Sequence, residues 1–423
     1  RETSPYYLGK MDLWYGFACH GIDFLQPRGL LCFIAQNNWT TSFGAKLMRK
    51  KVVLDTRFHE LVDFNEYMVF GEDNPDGPQI QTMIMMFERD NSNGQYKFDH
   101  WRLSAEAAKV DMRAMLSHEE GPAVHHITPT IDRVRNSKGL LTFSGDTLIF
   151  DKISKGKLYL TENEATNGIH PHHDFVSKKM LAECPGLKVG QGIFGLSNEE
   201  KEGLKLSAKE LTLVKPYYTS DQVKLYYTKA RNDLWIIYTG SEFKDSRKIN
   251  AYPKIKAHLD AVKKVITSDN RPYGLHRARA EHFFNGEKIV VLRKCVGRPS
   301  FSYSDFPCYV SATFYVIQTD RWDLKFLTGV LNSRLIAYWL KHRGKMQGEN
   351  YQLDKDPLKS IPLPELPRSA QKPIAELVGQ ILAAKKADPD ADTSALESEI
   401  DKLVYRLYDL TPEEIAVVES SSK

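Results

Sequence analysis

The chain has 423 residues, of which 42% are hydrophobic and 11% aromatic, a balance that is typical of a globular protein and argues against a disordered one. Its net charge is only +4, and its five cysteines are scattered without a Cys-x-x-Cys pair, which argues against a disulfide framework and against a zinc site. No apolar run reaches the roughly 18 residues of a membrane-spanning helix and no signal peptide is visible, so we expect a cytoplasmic protein of two or three domains.

The first 90 residues follow the pattern of an α/β sheet. Apolar side chains from Leu13 to Leu25 recur at three- and four-residue steps, which predicts a helix with one apolar face. The apolar run at 30–35 predicts a strand buried on both faces of a parallel sheet. Asn37, Asn38 and Trp39 follow it at the carboxyl end, where ligands bind in open α/β sheets, although an N-cap also explains the asparagines. A helix near 43–54 and strands near 60–64 and 80–87 extend the pattern.

This pattern resembles only the second half of a doubly wound, Rossmann-like domain, because no Gly-rich cofactor loop is present. The chain also begins at Arg1 and not at Met. We therefore expect the first half of the domain to precede this sequence in a longer protein.

The pattern changes after residue 95. We predict a connector over 96–185, then a mixed α+β domain over 186–367, and last a helical segment over 368–423. Short strand-like runs at 234–238, 288–294 and 308–318 alternate with helical patterns at 253–266 and 324–341. Four prolines between 355 and 367 mark the boundary before the C-terminal helices.

Basic residues concentrate between residues 271 and 303, where seven Lys or Arg stand against two acidic residues and are interleaved with aromatic side chains. This mixture is typical of a nucleic-acid surface, but a solvated face beside ordinary core aromatics explains it about as well. Gly297 predicts a hairpin turn whose flanks carry Arg293, Lys294 and Arg298. Arg298 could pair bidentately with guanine in the major groove or only hold a phosphate.

Other polar residues are weaker candidates. We expect phosphate contacts or solvated charge, and not base recognition, at Lys215, Lys224, Tyr226, Arg271, Arg277 and Arg279. The run His170-Pro171-His172-His173 suggests a metal site, but it lacks a second ligand group at a standard spacing, so we expect an exposed loop and no metal.

Taken in order, these stretches resemble a known family. The residues that carry the resemblance are Asp12-Leu13-Trp14 with Phe17, 29–39, Val62-Asp63-Phe64, Phe70 and 80–88, followed by 190–195, 215–227, 252–259, 288–294, 330–341, 358–364 and 403–415. The first group is similar to the second half of a TaqI-like, gamma-type adenine-N6 DNA methyltransferase of the type IIG or Eco57I kind. The second group is similar to the specificity domain that follows it in restriction–modification enzymes.

The resemblance implies methyl transfer from S-adenosylmethionine to an adenine amino group of double-stranded DNA. It also implies an Asn-Pro-Pro-Tyr-like motif, which this chain lacks; its closest approach is Asp73-Asn74-Pro75. The catalytic residues are therefore expected upstream, and the chain alone should be inactive. By the same resemblance, Phe17 lies near the cofactor's adenine and Phe87 stacks on the extruded target base, although from the pattern alone both also fit a core.

Two further functions remain open. The chain could be a stand-alone DNA-specificity module without catalysis, or part of a methyltransferase that acts on RNA. The large mixed domain suits duplex recognition better than single-strand stacking. A nuclease domain could also stand further upstream in the intact protein, as in fused type IIG enzymes.

Overall fold

The computed structural model describes residues 4–8, 11–40, 42–71, 80–92, 94–104, 106–137, 141, 143, 146–154, 157–182, 186–343, 345–347 and 350–420. The sequence Asp73-Asn74-Pro75 lies outside these residues. None of the helices within them combines the length and the apolar content that crossing a membrane requires.

The N-terminal part is a mixed sheet with helices packed on it. Its elements are α1 (Leu13–Phe24), β1 (Leu30–Gln36), α2 (Lys46–Asp55), β2 (Thr56–Asp63), β3 (Thr82–Arg89), β4 (Gln95–Lys97), β5 (Asp99–Leu103), α3 (Lys109–Leu116), β6 (Val124–Ile127), β7 (Thr130–Asp132) and α4 (Arg133–Asn136). The sheet has the order β1-β3-β2-β5-β6, in which β3 runs antiparallel to both neighbours and β2 runs parallel to β5. Apolar side chains of α1, α2 and the first three strands form one core.

The prediction that residues 30–35 form a strand buried on both faces of a parallel sheet is wrong for this structure. Strand β1 lies at the edge of the described sheet and pairs with β3 in the antiparallel sense. Its side chains alternate, so that Leu31 and Phe33 are partly buried against the core while Leu30 and Ile34 point to the exposed side. An uninterrupted apolar run does not reveal which of its two faces is covered.

The C-terminal part contains several smaller sheets. Its first elements are α5 (Asp146–Ser154), β8 (Lys157–Leu158), β9 (Ala165–Asn167), β10 (Gly195–Ser197), α6 (Asn198–Gly203), α7 (Ala208–Leu211), β11 (Val214–Tyr218), β12 (Tyr226–Tyr227), β13 (Leu234–Ile237), α8 (Pro253–Ala261), β14 (Lys288–Leu292), β15 (Lys294–Val296), β16 (Phe301–Ser304), β17 (Tyr309–Val310) and β18 (Phe314–Ile317). One sheet has the order β10-β13-β11-β17 and another has the order β12-β16-β14-β18-β9.

The remaining elements pack around the second of these sheets. They are α9 (Leu324–Asn332), α10 (Arg334–Arg343), β19 (Lys345–Gln347), β20 (Asn350–Gln352), α11 (Lys355–Lys359), β21 (Leu363–Pro364), α12 (Arg368–Ala387), α13 (Ser394–Leu407) and α14 (Pro412–Ser420). The C-terminal helices share one core with β14, β16 and β18, and α5 and the edge strand β9 also contribute to it. The segment 96–185, predicted as a connector, thus gives strands to both parts of the molecule.

The single helix predicted at 324–341 is two helices, α9 and α10, which are separated by Ser333. The Ser333 hydroxyl accepts a hydrogen bond from the Ile336 amide and so caps the second helix. The side chain of Asn332, just before the break, bonds both backbone polar groups of Phe301 at 2.9 and 2.7 Å. The break therefore fastens α9 to β16.

Candidate nucleic-acid interface

Polar side chains meet at the carboxyl edge of β1, β2 and β5. The amide of Asn37, which follows β1, donates to the carboxylate of Asp63 at the end of β2 over 2.9 Å. Asn65 has a φ of 53°, in the left-handed region that asparagine tolerates, and its backbone N–H also donates to Asp63. Arg102 of β5 donates to the Asn65 side chain over 3.1 Å. These four side chains form an ordered network at the place where the sequence indicated polar residues after residue 36. We call this network the polar edge.

Two residues beside the polar edge belong to the core. Trp39 is fully buried and its indole N–H points to the sulfur of Met83 at 3.1 Å. His100 is buried on β5, and burial lowers its pKa to about 4, an effect that Asp63 partly offsets. The imidazole is therefore neutral at physiological pH, and neither ring nitrogen has a hydrogen-bond partner among the described residues.

Phe87, expected to stack on a target base, is fully buried in the structure. Its ring centroid lies 5.2 Å from that of Phe58 and 5.9 Å from that of Trp39. Because β3 is antiparallel to β1, Phe87 pairs with Leu31 near the amino end of β1, at the opposite end from the polar edge. These contacts support the core role for Phe87 and offer a base no open ring face.

The turn that follows β2 carries an exposed aromatic residue, Phe70, for which the sequence alone predicts no role. Phe70 is 50% exposed and lies in the connection from β2 to β3, on the same side of the sheet as the polar edge. The position of Phe70, a few residues after the strand that ends at Asp63, is the sequence feature that could have marked it as a candidate ligand contact. An exposed ring at this edge is free to stack on a planar ligand.

Phe17, expected near the cofactor, is 69% exposed on α1. Leu13 and Phe24 of the same helix, and Leu30 and Ile34 of β1, are also exposed. Large apolar side chains are thus uncovered on both elements that flank the open edge of the sheet.

The hairpin expected around Gly297 is present. Strands β14 and β16 pair in the antiparallel sense from Lys288 with Ser304 to Val291 with Phe301, and Gly297 has a φ of 74°, which glycine adopts without strain. Between them, β15 leaves the hairpin and pairs with β20, so that Cys295 stands opposite Tyr351.

The arginines at this turn make contacts within the protein. The guanidinium of Arg298 donates to the carbonyl of Asn332 at 3.2 Å and lies 3.3 Å from the carboxylate of Glu397. That of Arg293 donates to the carbonyl of Ala312 at 3.2 Å. Base recognition by either arginine would need these contacts to be exchanged, and the role that the sequence predicts for them stays a prediction.

The lysines and the other basic candidates fall into two groups. Lys215 is paired with Glu281 at 2.8 Å, and Arg279 is partly buried and donates to the carbonyl of Gly168 at 3.3 Å. Lys294, Lys224 and Arg277 are exposed, and within the described residues none of their side chains has an ion-pair partner. The second group is the one that remains available to an external anion.

Two segments of the chain match known protein families. Residues 1–70 match the Eco57I restriction-modification methylase family, and residues 215–363 match the TaqI-like C-terminal specificity domain. In these two segments the chain is similar to restriction–modification methylases. We call its N-terminal part the methylase segment and its C-terminal part the specificity domain.

One solved structure agrees in fold, and two others match at lower scores. The chain is similar to the Type IIL restriction-modification enzyme MmeI, solved in complex with DNA, with a TM-score of 0.61 and 14% identity over 98% of this chain and 53% of that one. The type IIG restriction endonuclease BpuSI matches at a TM-score of 0.34 and 10% identity, over 96% and 50% of the two chains. A nuclease-deletion mutant of the Type ISP enzyme LlaGI, solved with a DNA substrate mimic, matches at 0.41 and 12%, over 86% and 30%. This chain thus spans about half the length of MmeI.

Proposed function

We propose that the chain provides DNA sequence recognition, and one wall of the cofactor and base pocket, for a site-specific adenine-N6 DNA methyltransferase that uses S-adenosylmethionine. The observation that carries the proposal is one continuous chain in which a methylase segment with an ordered polar edge precedes a TaqI-like specificity domain. S-adenosylmethionine, when bound, would supply the methyl group.

The exposed apolar side chains of α1 and β1 support the view that this chain is part of a larger methyltransferase domain. Phe17 and Phe24 are 69% and 86% exposed, and β1 has an open edge in the described sheet. An open strand edge pairs readily with further strands, and large exposed apolar groups favour being covered. In this proposal, the strands that cover this edge also supply the catalytic groups.

Two exposed aromatic residues of the methylase segment are our candidates for contacts with planar ligands. Phe17 is free to pack on the adenine of the cofactor, as the family resemblance implies. Phe70, exposed beside the polar edge, replaces Phe87 as our candidate for stacking on the extruded adenine, because extrusion requires an open ring face at the ligand end of the sheet. Base stacking of this kind contributes about 1–3 kcal/mol.

In the specificity domain, Lys294 and Lys224 are our candidates for phosphate contacts. Both are exposed and neither has an ion-pair partner in the described part of the chain. Lys215 contributes less, since its ammonium group is already paired with Glu281. Arg298 and Arg293 remain possible base contacts only after they leave their present partners.

A first experiment measures DNA binding and methyl transfer by the purified chain. We expect salt-dependent binding to duplex DNA, weaker binding to single-stranded RNA, and no incorporation of radioactive methyl groups from S-adenosylmethionine. Methyl incorporation by this chain alone would contradict the view that its catalytic groups lie elsewhere. Equal affinity for RNA would favour the RNA methyltransferase.

A second experiment separates the methyltransferase from a stand-alone specificity module. Saturation-transfer NMR with millimolar S-adenosylmethionine should detect weak contact with the cofactor's adenine protons. Phe17→Ala should abolish the signal, whereas Phe24→Ala, which removes a more exposed ring from the same helix, should not. No signal in the unaltered chain would favour the specificity module.

A further inference from the structure

Four histidines meet on the surface of the specificity domain, although His276 is about 100 residues from the other three. We call His170, His172, His173 and His276 the histidine cluster. The ring centroid of His276 lies 5.1 Å from that of His170 and 5.5 Å from that of His172, and the rings of His172 and His173 are 4.4 Å apart. Among the described residues, no group of histidine, cysteine and carboxylate side chains could hold a metal ion. The cluster therefore needs another explanation.

The backbone fixes the two loops that carry the cluster. His170 and Arg277 each donate a backbone N–H to the other's carbonyl, both over 2.9 Å. His172 and Arg279 have φ angles of 82° and 75°, in the left-handed region that residues other than glycine seldom occupy. Backbone outliers of this kind concentrate at ligand-binding sites.

The surroundings of the cluster are mostly cationic. Arg277 is exposed beside it, and Arg279 lies close enough to lower the pKa of His170. Among the described residues, the carboxylate paired with the cluster is that of Asp269, 3.3 Å from His276 and itself largely exposed. Asp174, next to His173 in the chain, is oriented towards the hydroxyl of Tyr217 at 3.4 Å.

The hydroxyl of Thr267 completes the inventory of facing polar groups. Its oxygen lies 2.6 Å from Nδ1 of His172 and 3.4 Å from Nε2 of His173. A hydroxyl can donate or accept, so it accommodates either charge state of these rings. Nothing else in the described loops supplies the negative charge that several protonated imidazoles would require.

We propose that the histidine cluster and Arg277 form a binding site for phosphates of the DNA backbone, which strengthens as the imidazoles become protonated. The inference rests on the proposed DNA-binding function and adds to it a location and a dependence on pH. Protonated imidazoles and a guanidinium on two fixed loops suit the oxygens of a polymeric phosphate chain. His170, His172 and Arg277 are exposed, and His173 and His276 are partly buried beside them.

The direction of the pH effect follows from the electrostatics. Burial, then the neighbouring rings His276 and His172 and two arginines, lower the pKa of His170, and burial and His172 lower that of His173. Without an anion these rings are thus mainly neutral at neutral pH. A phosphate would offset the repulsion, raise these pKa values and be bound together with protons, so that affinity increases as pH falls.

The test measures fluorescence anisotropy of a labelled duplex of arbitrary sequence with the full chain, at pH 6 and pH 8 and constant ionic strength. We expect binding about three- to tenfold tighter at pH 6, because linked proton uptake can change affinity by up to tenfold per proton and pH unit. Replacing His170, His172 and His173 together by Gln should reduce this difference to less than about twofold. Arg277→Ala should weaken binding at both pH values.

The matched control is His282→Gln, which removes an exposed histidine of the same domain that packs on Phe283 outside the cluster. It should preserve the pH difference. A pH difference that survives in the triple variant would overturn the site and leave the proposed DNA-binding function intact. Absence of duplex binding at every pH would overturn both.

NMR titration of the histidine C–H signals distinguishes DNA from free phosphate. Added duplex should raise the pKa of His170 and His173, while millimolar inorganic phosphate should have a smaller effect. A larger shift with inorganic phosphate than with duplex would assign the site to a small anion and overturn the DNA assignment.

Discussion

Phe87→Ala should destabilise the methylase segment. Its ring is fully buried and packs edge to face against Trp39 and in a tilted arrangement against Phe58. Truncating a buried phenylalanine to alanine costs about 3–5 kcal/mol, because apolar contacts are lost and a cavity remains. About 0.5–1.5 kcal/mol of this belongs to each aromatic pair. Since this core is separate from that of the specificity domain, the loss should be local.

Hydrogen exchange, followed by mass spectrometry on peptides that cover β3, measures this loss directly. Exchange limited by local unfolding should become about two to three orders of magnitude faster, at roughly 1.4 kcal/mol per tenfold. Phe70→Ala is the control, because its ring is half exposed and should leave the exchange rates of β3 unchanged. A change of less than tenfold in Phe87→Ala would refute the core role and restore a ligand role for this ring.

Three other predictions concern the specificity domain. Arg298→Ala should lower the free energy of unfolding by about 1 kcal/mol, since its partly exposed ion pair with Glu397 is lost. Urea titration of Arg298→Ala, Glu397→Gln and the double variant should show that the two stability losses are not additive. Unchanged stability together with relaxed base discrimination in Arg298→Ala would contradict this structural role. Lys294→Ala should weaken DNA binding about equally on all duplexes and reduce the slope of log affinity against log salt concentration by about 0.9. Binding titrations at several salt concentrations measure this slope. A loss of affinity on one sequence only would instead indicate base recognition. Burial raises the pKa of Asp401 to about 6, so the folded state holds this proton more tightly than the unfolded state does. The free energy of unfolding should therefore fall by about 2–3 kcal/mol as pH rises from about 4 to about 6. Asp401→Asn should flatten this part of the pH profile of stability, and an unaltered profile would exclude Asp401 as its source.

Local sequence patterns predicted the elements well. The periodicity from Leu13 and the apolar run from Leu30 correspond to α1 and β1, and Gly297 takes the positive φ of the expected turn. Asn37 lies on the polar edge, as its place after a strand indicated. These features depend on neighbouring residues, whose steric and polar preferences act over a few positions.

The features that the sequence leaves undetermined depend on contacts between distant residues. The sequence of β3 does not state that this strand runs antiparallel to its neighbours, and that direction decides at which end of the sheet Phe87 lies. Likewise, an arginine beside a turn glycine is the residue type expected to contact a base, but the partner of Arg298, Glu397, lies on a helix 99 residues further along the chain. The histidine cluster was visible only in part, since His276 joins it through folding.

The turn after β14 has a consequence for protein engineering. Its residues depend on three remote anchors: the backbone of β20, the carbonyl of Asn332 and the carboxylate of Glu397. A short graft of residues 293–299 from a related enzyme would arrive without the groups that hold it in place. A grafted turn therefore keeps its conformation only if all three stretches are transplanted together, whereas exchange of the entire domain keeps every anchor with its own turn.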